Sequence, residues 1–334
     1  MTDNVKDLFA RVIAGASLDA EESARVFDRI MSGETDPARL EAFLAAQAAR
    51  GPTVAEIIGA ARSMRAHMRS IQAPEGAIDL CGTGGDGHGT LNVSTAVSFV
   101  VAGCGVTVAK HGNRSASSRA GAADVLEVLG VPIDLSPDAA RASLGEIGLC
   151  FLFAPLYHPA MKHVVQVRRA LGRRTIFNLL GPLCNPAQVK RQLLGVYARD
   201  WLEPLAEVLR ALGSEKAYVV HGADGLDELS TTGPTFVATL ERDRIATSAA
   251  TPESAGLARA TLADLIGGDA AHNAGAILRL LGGEAGPFRD IVLLNAAAAL
   301  MVADKAEKLT DGMALAAESI DSGRARAVLD RLAS

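Results

Sequence analysis

The chain has 334 residues, of which 49% are hydrophobic and 21% charged, so it can bury one large core or two modest ones. Its formal net charge of -5 argues against a protein that coats nucleic acid or an anionic membrane, and we expect neither as a partner. Aromatic residues make up only 4% of the chain, whereas glycine occurs 33 times. The core must therefore be built from small and aliphatic residues, which suits an α/β fold with close helix packing.

The cysteines are far apart in the sequence and form no CxxC pair, so neither a zinc site nor a disulfide framework is indicated. They are Cys81, Cys104, Cys150 and Cys184. The first residues are polar and acidic with no apolar signal segment behind them, which predicts a cytoplasmic protein. The segment 87–109 lacks Asp, Glu, Lys and Arg and is long enough to cross a bilayer. Its hydroxyl side chains and glycines indicate instead a loop, a helix and a strand buried in an α/β core.

The first seventy residues are predicted to be helical throughout, because helix start signals recur in them. Asp19 with Glu22, and Thr53 with Glu56, have the spacing of capping boxes, in which side chains satisfy the free backbone amides of a helix start. This region is a small helical domain with no catalytic constellation of its own.

From residue 77 the pattern changes to short β-rich runs that alternate with helical stretches, as in a mostly parallel central sheet wrapped by helices. The predicted strands cover residues 78–80, 106–109, 150–153, 193–197 and 217–220. The predicted helices cover residues 95–102, 123–129, 138–147, 159–171 and 202–212, and the last sixty residues return to helix. We expect a helical domain at 1–72, joined by helices from about 160–190, and an α/β domain at 73–334. The cleft between the two is the expected binding site.

The first predicted strand runs into a glycine-rich turn, CGTGGDG at residues 81–87, after which residues 92–95 open a helix. Glycines let a backbone pass close to phosphate oxygens, and the amides at a helix start attract an anion. The hydroxyls of Ser94 and Thr95 lie beside this turn. A phosphate-bearing ligand is the functional interpretation, and a tight connection between strand and helix is the alternative.

Gly82, Gly84 and Gly87 also satisfy the GxGxxG pattern of a dinucleotide site. A site for NAD needs Asp or Glu about twenty residues further on, but the next predicted strand ends in Lys110. An NADP site could use that lysine, so the sequence weakens the nicotinamide alternative without excluding it.

That strand leads into a loop dense in hydrogen-bond donors, KHGNRSASSR at residues 110–119. The loop could bind a second phosphate, or it could be a basic surface turn. Arg and Lys gather here and at residues 168–174. Two short basic segments in an acidic protein favour a small anion over a polymer.

Several of these segments, in this order, resemble the anthranilate phosphoribosyltransferase family. They are the glycine turn at 82–86, NVST at 92–95, KHGNRS at 110–115, DVLE at 124–127 and RRTIFNLLGPLCNP at 173–186. The resemblance covers nearly the whole chain. The wider fold family includes pyrimidine nucleoside phosphorylases, but the long segment 173–186 and the basic loop favour the anthranilate enzymes.

The resemblance implies a magnesium-dependent enzyme of tryptophan biosynthesis, homodimeric through its helical domain, that joins anthranilate to the ribose of phosphoribosyl pyrophosphate and releases pyrophosphate. It implies a set of residues around the two substrates: Gly82, Gly85, Asp86, Thr90, Asn92, Val93, Ser94, Thr95, Lys110, His111, Gly112, Asn113, Arg114, Ser115, Ala116, Ser117, Ser118 and Arg168. Of these, the resemblance assigns contact with anthranilate to Asn113 and Arg168. The role of Arg168 has a plain physical basis, because a planar guanidinium suits an aromatic carboxylate. His111 is the candidate for taking the amine proton, with an orienting or structural role as the alternative.

Magnesium is expected at the loop that follows the last predicted strand. Adjacent carboxylates in a loop are usually just solvated, but Mg²⁺ prefers one or two carboxylates together with waters and substrate phosphates. The resemblance assigns metal contact to Asp227 and Glu228, with Ser94 on the other side. Ala122 departs from the family pattern, because many relatives have a serine there. The change removes one phosphate donor, although a backbone amide at this position could still serve.

Overall fold

The computed structural model describes residues 5–115 and 119–334. Its N-terminal part consists of the helices α1 (Val5–Ile13), α2 (Ala20–Met31), α3 (Pro37–Arg50) and α4 (Val54–Ala66). The side chains of Asp19 and Thr53 accept hydrogen bonds from the amides of Glu22 and Glu56, whose carboxylates bond back to the cap residues. Both predicted capping boxes are therefore confirmed.

A seven-stranded sheet follows, with the strand order β3-β2-β1-β4-β5-β6-β7. The strands are β1 (Ile78–Gly82), β2 (Val108–Gly112), β3 (Leu149–Phe153), β4 (Arg191–Gly195), β5 (Lys216–Gly222), β6 (Thr235–Glu241) and β7 (Arg244–Ala250). The first five are parallel and match the five predicted strands to within a few residues. The antiparallel hairpin of β6 and β7 was not predicted, because β7 is mostly exposed and lacks the apolar alternation that marks a half-buried strand.

Helices cover both faces of the sheet and form the end of the chain, as expected. They are α5 (Val93–Gly103), α6 (Ala122–Val128), α7 (Pro137–Glu146), α8 (Ala154–Tyr157), α9 (Val165–Leu171), α10 (Phe177–Leu183), α11 (Leu202–Ala211), α12 (Ala270–Leu281), α13 (Pro287–Val302), α14 (Leu309–Asp321) and α15 (Arg324–Leu332). The single helix expected at 159–171 is wrong. Pro159–His163 forms a 3-10 helix, in which the amide of Val164 bonds to the carbonyl of Met161. This tighter turn ends before α9 begins.

The sheet separates two apolar layers. Leu193 and Val220 face a layer that contains α5 and the C-terminal helices. Leu194 and Val219 face the opposite layer, which also contains buried side chains of α1 to α4 and of α9 to α11. The N-terminal helices therefore share one core with the sheet. Among the described residues no helix combines the length and the apolar composition that a membrane span requires.

Replacing Gly59 by alanine should destabilise the protein, because α2 and α4 are in contact at this glycine. A Cβ on Gly59 would overlap the carbonyl oxygen of Ala20 and crowd the amide of Ala24, and overpacking of this kind costs about 1–3 kcal/mol. The matched control is Gly145→Ala in α7, where a Cβ meets no described atom within 4 Å and should stabilise the helix by about 0.5–1 kcal/mol. Urea unfolding measures both variants. A Gly59→Ala protein as stable as wild type would contradict this packing.

Candidate active site

The strand order places a crevice at the carboxyl ends of β1 and β4. From β1 the chain continues to β2 and β3 on one side, and from β4 to β5 on the other. Ligands of open α/β sheets bind where the strand order reverses in this way. The glycine turn follows β1 directly. Gly84, Gly85 and Gly87 in it have φ between 63° and 83°, a left-handed backbone that favours glycine.

Beside this turn, two side chains bond to the backbone of β1 and β2. Within the described chain β1 pairs with β2 at Ile78 and Val108 alone, whereas it pairs with β4 over five residues. The carbonyl of Leu80 accepts a hydrogen bond from Nζ of Lys110 at 2.6 Å, and the amide of His111 donates to Oδ1 of Asp79 at 3.1 Å. These two side chains therefore bond to backbone groups that would bond to the backbone of the neighbouring strand in a fully paired parallel sheet. Burial raises the pKa of the buried Asp79 carboxyl and lowers the pKa of Lys110, while each charge opposes the shift of the other.

Lys110 connects β1 to Ser94, one of the predicted metal residues. Its Nζ also donates to Oγ of Ser94 at 3.1 Å, and the residue is only 3% exposed. On the far side of the glycine turn, Oδ2 of Asp227 accepts from the amide of Gly84 at 2.8 Å. Both Asp227 and Glu228 act electrostatically on Lys110. The glycine turn, the lysine and the acidic pair therefore converge at one place.

Asp227 lies against the glycines that end two strands, Gly82 in β1 and Gly195 in β4. A Cβ on Gly82, at the end of β1, would overlap the Asp227 carboxylate. A Cβ on Gly195, at the end of β4, would overlap the Asp227 carbonyl oxygen. Gly82 was predicted as a substrate residue, and the contact it makes here is with Asp227.

The electrostatics of the acidic pair suit a divalent cation. Burial, followed by the charge of Asp86, raises the pKa of Asp227 to about 6. Burial, followed by the charge of Asp227, raises the pKa of Glu228 to about 8, while Lys110 opposes that rise. A bound cation would neutralise both carboxylates. In the described part of the chain no group of three or more His, Cys, Asp and Glu side chains is arranged to hold a metal, so Mg²⁺ would take its other ligands from hydroxyl groups, water and substrate phosphates.

The basic loop begins with a buried histidine that faces a second one. The rings of His111 and His158 have their centroids 5.1 Å apart. Burial lowers the pKa of His111 to about 3 and that of His158 to about 4, so both rings are neutral near pH 7. Among the described residues, Nε2 of His111, both ring nitrogens of His158 and the hydroxyl of Tyr157 have no hydrogen-bond partner of normal geometry. A polar ligand could satisfy these buried atoms.

Further along the loop, Arg114 is occupied by acidic partners. Its guanidinium pairs with Asp124 at 2.8 Å and with Glu127 at 2.6 Å, and it lies 5.7 Å from the centre of the Phe153 ring. Oδ1 of Asn113 accepts from the amide of Arg114. Arg114 therefore fastens the loop to α6.

Other predicted residues frame the same loops. Nδ2 of Asn92 donates to the Ala120 carbonyl at 3.3 Å, and its Oδ1 accepts from Asn273 at 2.8 Å. Thr90 pairs with Ile266 in an isolated bridge. The others are Val93 and Thr95 at the buried start of α5, Gly112 at the end of β2, Ser115 beside Asp124, and Ala122 at the start of α6. The predicted residues Ala116, Ser117 and Ser118 lie outside the described part of the chain.

Arg168 lies on α9, with its guanidinium 5.4 Å from the centre of the Phe177 ring. Burial lowers the pKa of this guanidinium. The group remains charged near pH 7, because an arginine in a protein does not lose its proton. A partly buried cation beside an aromatic ring is suited to a planar carboxylate.

Sequence reasoning missed Asp79, His158 and Arg174. Nη2 of Arg174 donates to the Gly85 carbonyl at 2.5 Å, and its guanidinium lies 4.2 Å from the centre of the Tyr197 ring, so it fastens the glycine turn to the chain after β4. A charge inside a predicted buried strand could have marked Asp79. Arg174 lies in the basic segment 168–174 and in the motif at 173–186, which could have marked it. His158 carries no comparable signal, because its position depends on tertiary contacts.

The dinucleotide alternative gains no support from this geometry. Nζ of Lys110 bonds to the Leu80 carbonyl and to Ser94. The lysine is therefore not available at the surface for the 2′-phosphate of NADP.

Replacing His158 by glutamine should make the protein less sensitive to acid. Because burial lowers the pKa of His158 to about 4 from the usual 6.5 or so, the unfolded chain binds the proton first. The stabilisation is present above about pH 6.5 and is lost as the pH falls towards about 4. From about pH 7.5 to about pH 5, the free energy of unfolding should fall by about 2 kcal/mol less in His158→Gln than in wild type.

Urea unfolding at the two pH values measures this difference. The exposed His272, changed to glutamine, is the control and should follow wild type. The same acid-induced loss of stability in all three proteins would show that His158 does not titrate as described.

Comparison with known proteins agrees with this fold. Residues 6–68 match a family model described as the helical bundle domain of a glycosyl transferase family, and residues 74–326 match the a/b domain of that family. The anthranilate phosphoribosyltransferase of Beijerinckia indica is 56% identical over 330 residues, which are 99% of this chain and 96% of the relative.

Solved structures agree as well. The crystal structure of anthranilate phosphoribosyltransferase from Thermus thermophilus has a TM-score of 0.93 at 45% identity and covers 98% of each chain. The enzyme from Saccharomyces cerevisiae, in complex with PRPP and Mg, has a TM-score of 0.90 at 27% identity and covers 99% of this chain and 97% of that one. The chain belongs to the anthranilate phosphoribosyltransferase family.

Proposed function

We propose that this protein is an enzyme of tryptophan biosynthesis that transfers the phosphoribosyl group of phosphoribosyl pyrophosphate to the amine of anthranilate. The products are N-(5-phosphoribosyl)anthranilate and pyrophosphate. The observation that carries the proposal is the convergence of the glycine turn, Lys110 and the acidic pair in one crevice. The yeast relative was solved with PRPP and Mg, and these ligands suit such a group of residues.

The diphosphate of the donor belongs at the glycine turn and the start of α5. Asn92 makes no side-chain bond to the first amides of α5, since it is turned towards Ala120 and Asn273. It therefore does not compete with an anion for these amides. Lys110 and Ser94 add a positive charge and a hydroxyl group. Donors fixed in this way stabilise the charge that develops on leaving pyrophosphate.

Asp227 and Glu228, together with Ser94, are the residues we propose for Mg²⁺. When bound there, Mg²⁺ supplies Lewis-acid stabilisation of the leaving pyrophosphate. The protein holds the Asp227 carboxylate beside the turn through the Gly84 amide. The mutual repulsion of these carboxylates and Asp86 supports a cation between them.

Anthranilate is proposed to lie beside Arg168, Asn113 and His111. An aromatic amine already has a lone pair, so alignment of the two substrates matters most and can contribute on the order of 7–11 kcal/mol in favourable cases. His111 is neutral near pH 7, and its buried Nε2 has no hydrogen bond of normal geometry among the described residues, although the backbone of Gly181 acts on the ring. Its neutral ring can therefore accept a hydrogen bond from the amine. For Arg114 we propose a shaping role, because its guanidinium is already paired with Asp124 and Glu127.

We also propose the division into a helical domain, residues 1–72 with helices from about 160–190, and an α/β domain, residues 73–334. The contact of Phe177 with Phe27, whose rings are tilted by 57° with centroids 5.7 Å apart, supports the link between α10 and the N-terminal helices. A cytoplasmic homodimer joined through the helical domain remains part of the proposal. The exposed apolar side chains of Ile13 and Val165 are compatible with it.

The test mixes the protein with anthranilate, phosphoribosyl pyrophosphate and MgCl₂ and follows the loss of anthranilate fluorescence. Wild type should turn over, and Asp227→Asn combined with Glu228→Gln should lower turnover by on the order of 100-fold or more, because amides keep the size of the side chains but remove the charge that holds the metal. The control makes the same two changes at exposed positions, Asp200→Asn with Glu203→Gln, and should retain activity. An unchanged magnesium titration in the first variant would remove the proposed metal site.

Arg168→Ala should raise the KM for anthranilate by about tenfold or more, since a charge-assisted hydrogen bond to a carboxylate is lost. The KM for phosphoribosyl pyrophosphate should change much less. Arg169→Ala removes an exposed arginine from the next position of α9 and is the matched control. Equal increases in both KM values would contradict the assignment of Arg168 to anthranilate.

A further inference from the structure

Helix α13 carries a buried amide among apolar side chains. Asn295 is 0% exposed in a helix that reads PFRDIVLLNAAAALMV. An amide is costly to bury unless its hydrogen bonds are made. The partners of Asn295 therefore indicate what the residue is for.

Those partners belong mainly to one loop residue. Oδ1 of Asn295 accepts from the amide of Leu229 at 2.8 Å, and Nδ2 donates to the carbonyl of Leu229 at 2.8 Å. Nδ2 also donates to the carbonyl of Ile291, one turn earlier in the helix, at 2.9 Å. Leu229 is itself 2% exposed, so water has little access to its backbone groups if Asn295 is removed.

Leu229 directly follows the acidic pair. The loop is fastened before Leu229 by the bond from the Gly84 amide to Asp227, and after it by the bond from the Ser230 amide to Oγ1 of Thr235. Asn295 supplies the attachment next to Glu228. Glu228 lies between Asp227 and Leu229 in the chain, so the attachment of Leu229 restricts the backbone from which the Glu228 carboxylate extends.

We propose that Asn295 is a positioning residue of the metal site, which fixes the backbone from which Glu228 reaches Mg²⁺. This inference rests on the proposed function, since it requires the acidic pair to bind the metal. Partners that orient metal ligands without touching the metal typically contribute 10–100-fold to metal affinity. The role is distinct from stabilising α13, whose other buried side chains are apolar and mostly pack in the core that α5 and the C-terminal helices share with the sheet.

The experiment measures binding of Mn²⁺, in the presence of inorganic pyrophosphate, to the full-length protein by titration calorimetry. Asn295→Ala removes both bonds to Leu229. Asn295→Ser is the milder variant, because a serine hydroxyl can bond the helix carbonyl of Ile291 in place of the amide but is too short to replace the two-point bond. Val302→Ala, a fully buried position on the same helix, is the control for loss of stability alone. Circular dichroism and thermal melts compare the folding of all variants.

Mn²⁺ affinity should fall by about tenfold or more in Asn295→Ser and Asn295→Ala. The magnesium concentration for half-maximal activity should rise by a similar factor, with the KM for anthranilate nearly unchanged. Val302→Ala should bind Mn²⁺ like wild type, although its melting temperature should fall by about as much as that of the Asn295 variants. Wild-type Mn²⁺ affinity in the folded Asn295→Ser protein would overturn this inference and leave the proposed function intact. A loss of Mn²⁺ affinity in Val302→Ala equal to that in the Asn295 variants would do the same. Failure of wild type itself to bind Mn²⁺ with pyrophosphate would overturn the proposed metal site, and this inference with it.

Discussion

The site depends on the buried ammonium group of Lys110, which extends from β2 to the carbonyl of Leu80 in β1. A buried ammonium group costs several kcal/mol unless charges and hydrogen bonds compensate it. Here the carbonyl of Leu80 and the hydroxyl of Ser94 accept its hydrogen bonds, and the charges of Asp79, Glu228 and Asp227 favour its protonated form. The interaction that joins β2 to β1 therefore also brings the positive charge into the site.

Each loop of the crevice is held by a side-chain contact from outside the loop. Arg174 fastens the glycine turn through the Gly85 carbonyl, Glu127 holds the basic loop through Arg114, and Asn295 holds the acidic loop. Fixed loops matter for a reaction in which two substrates must be aligned, since small displacements of reacting groups lower the rate strongly. The rigid sheet and helices thus supply the precision that the loops alone lack.

The sequence predicted features that local patterns determine. The capping boxes at Asp19 and Thr53, the five parallel strands, the glycine turn and the acidic pair all follow from spacing, alternation or family motifs. The β6–β7 hairpin was missed because its outer strand is solvated, and the helix at 159–171 was drawn too long because nothing in the sequence marks its tighter first turn. His158 and Asn295 were not assigned, since a buried polar residue acquires its role only from tertiary partners.

Gly82 and Gly195 limit how the protein can diverge. Every replacement of a glycine adds at least one carbon, and at these two positions that carbon would occupy the space of Asp227. In directed evolution, substitutions at these two glycines should therefore be among the least tolerated, because each would displace a residue proposed for the metal.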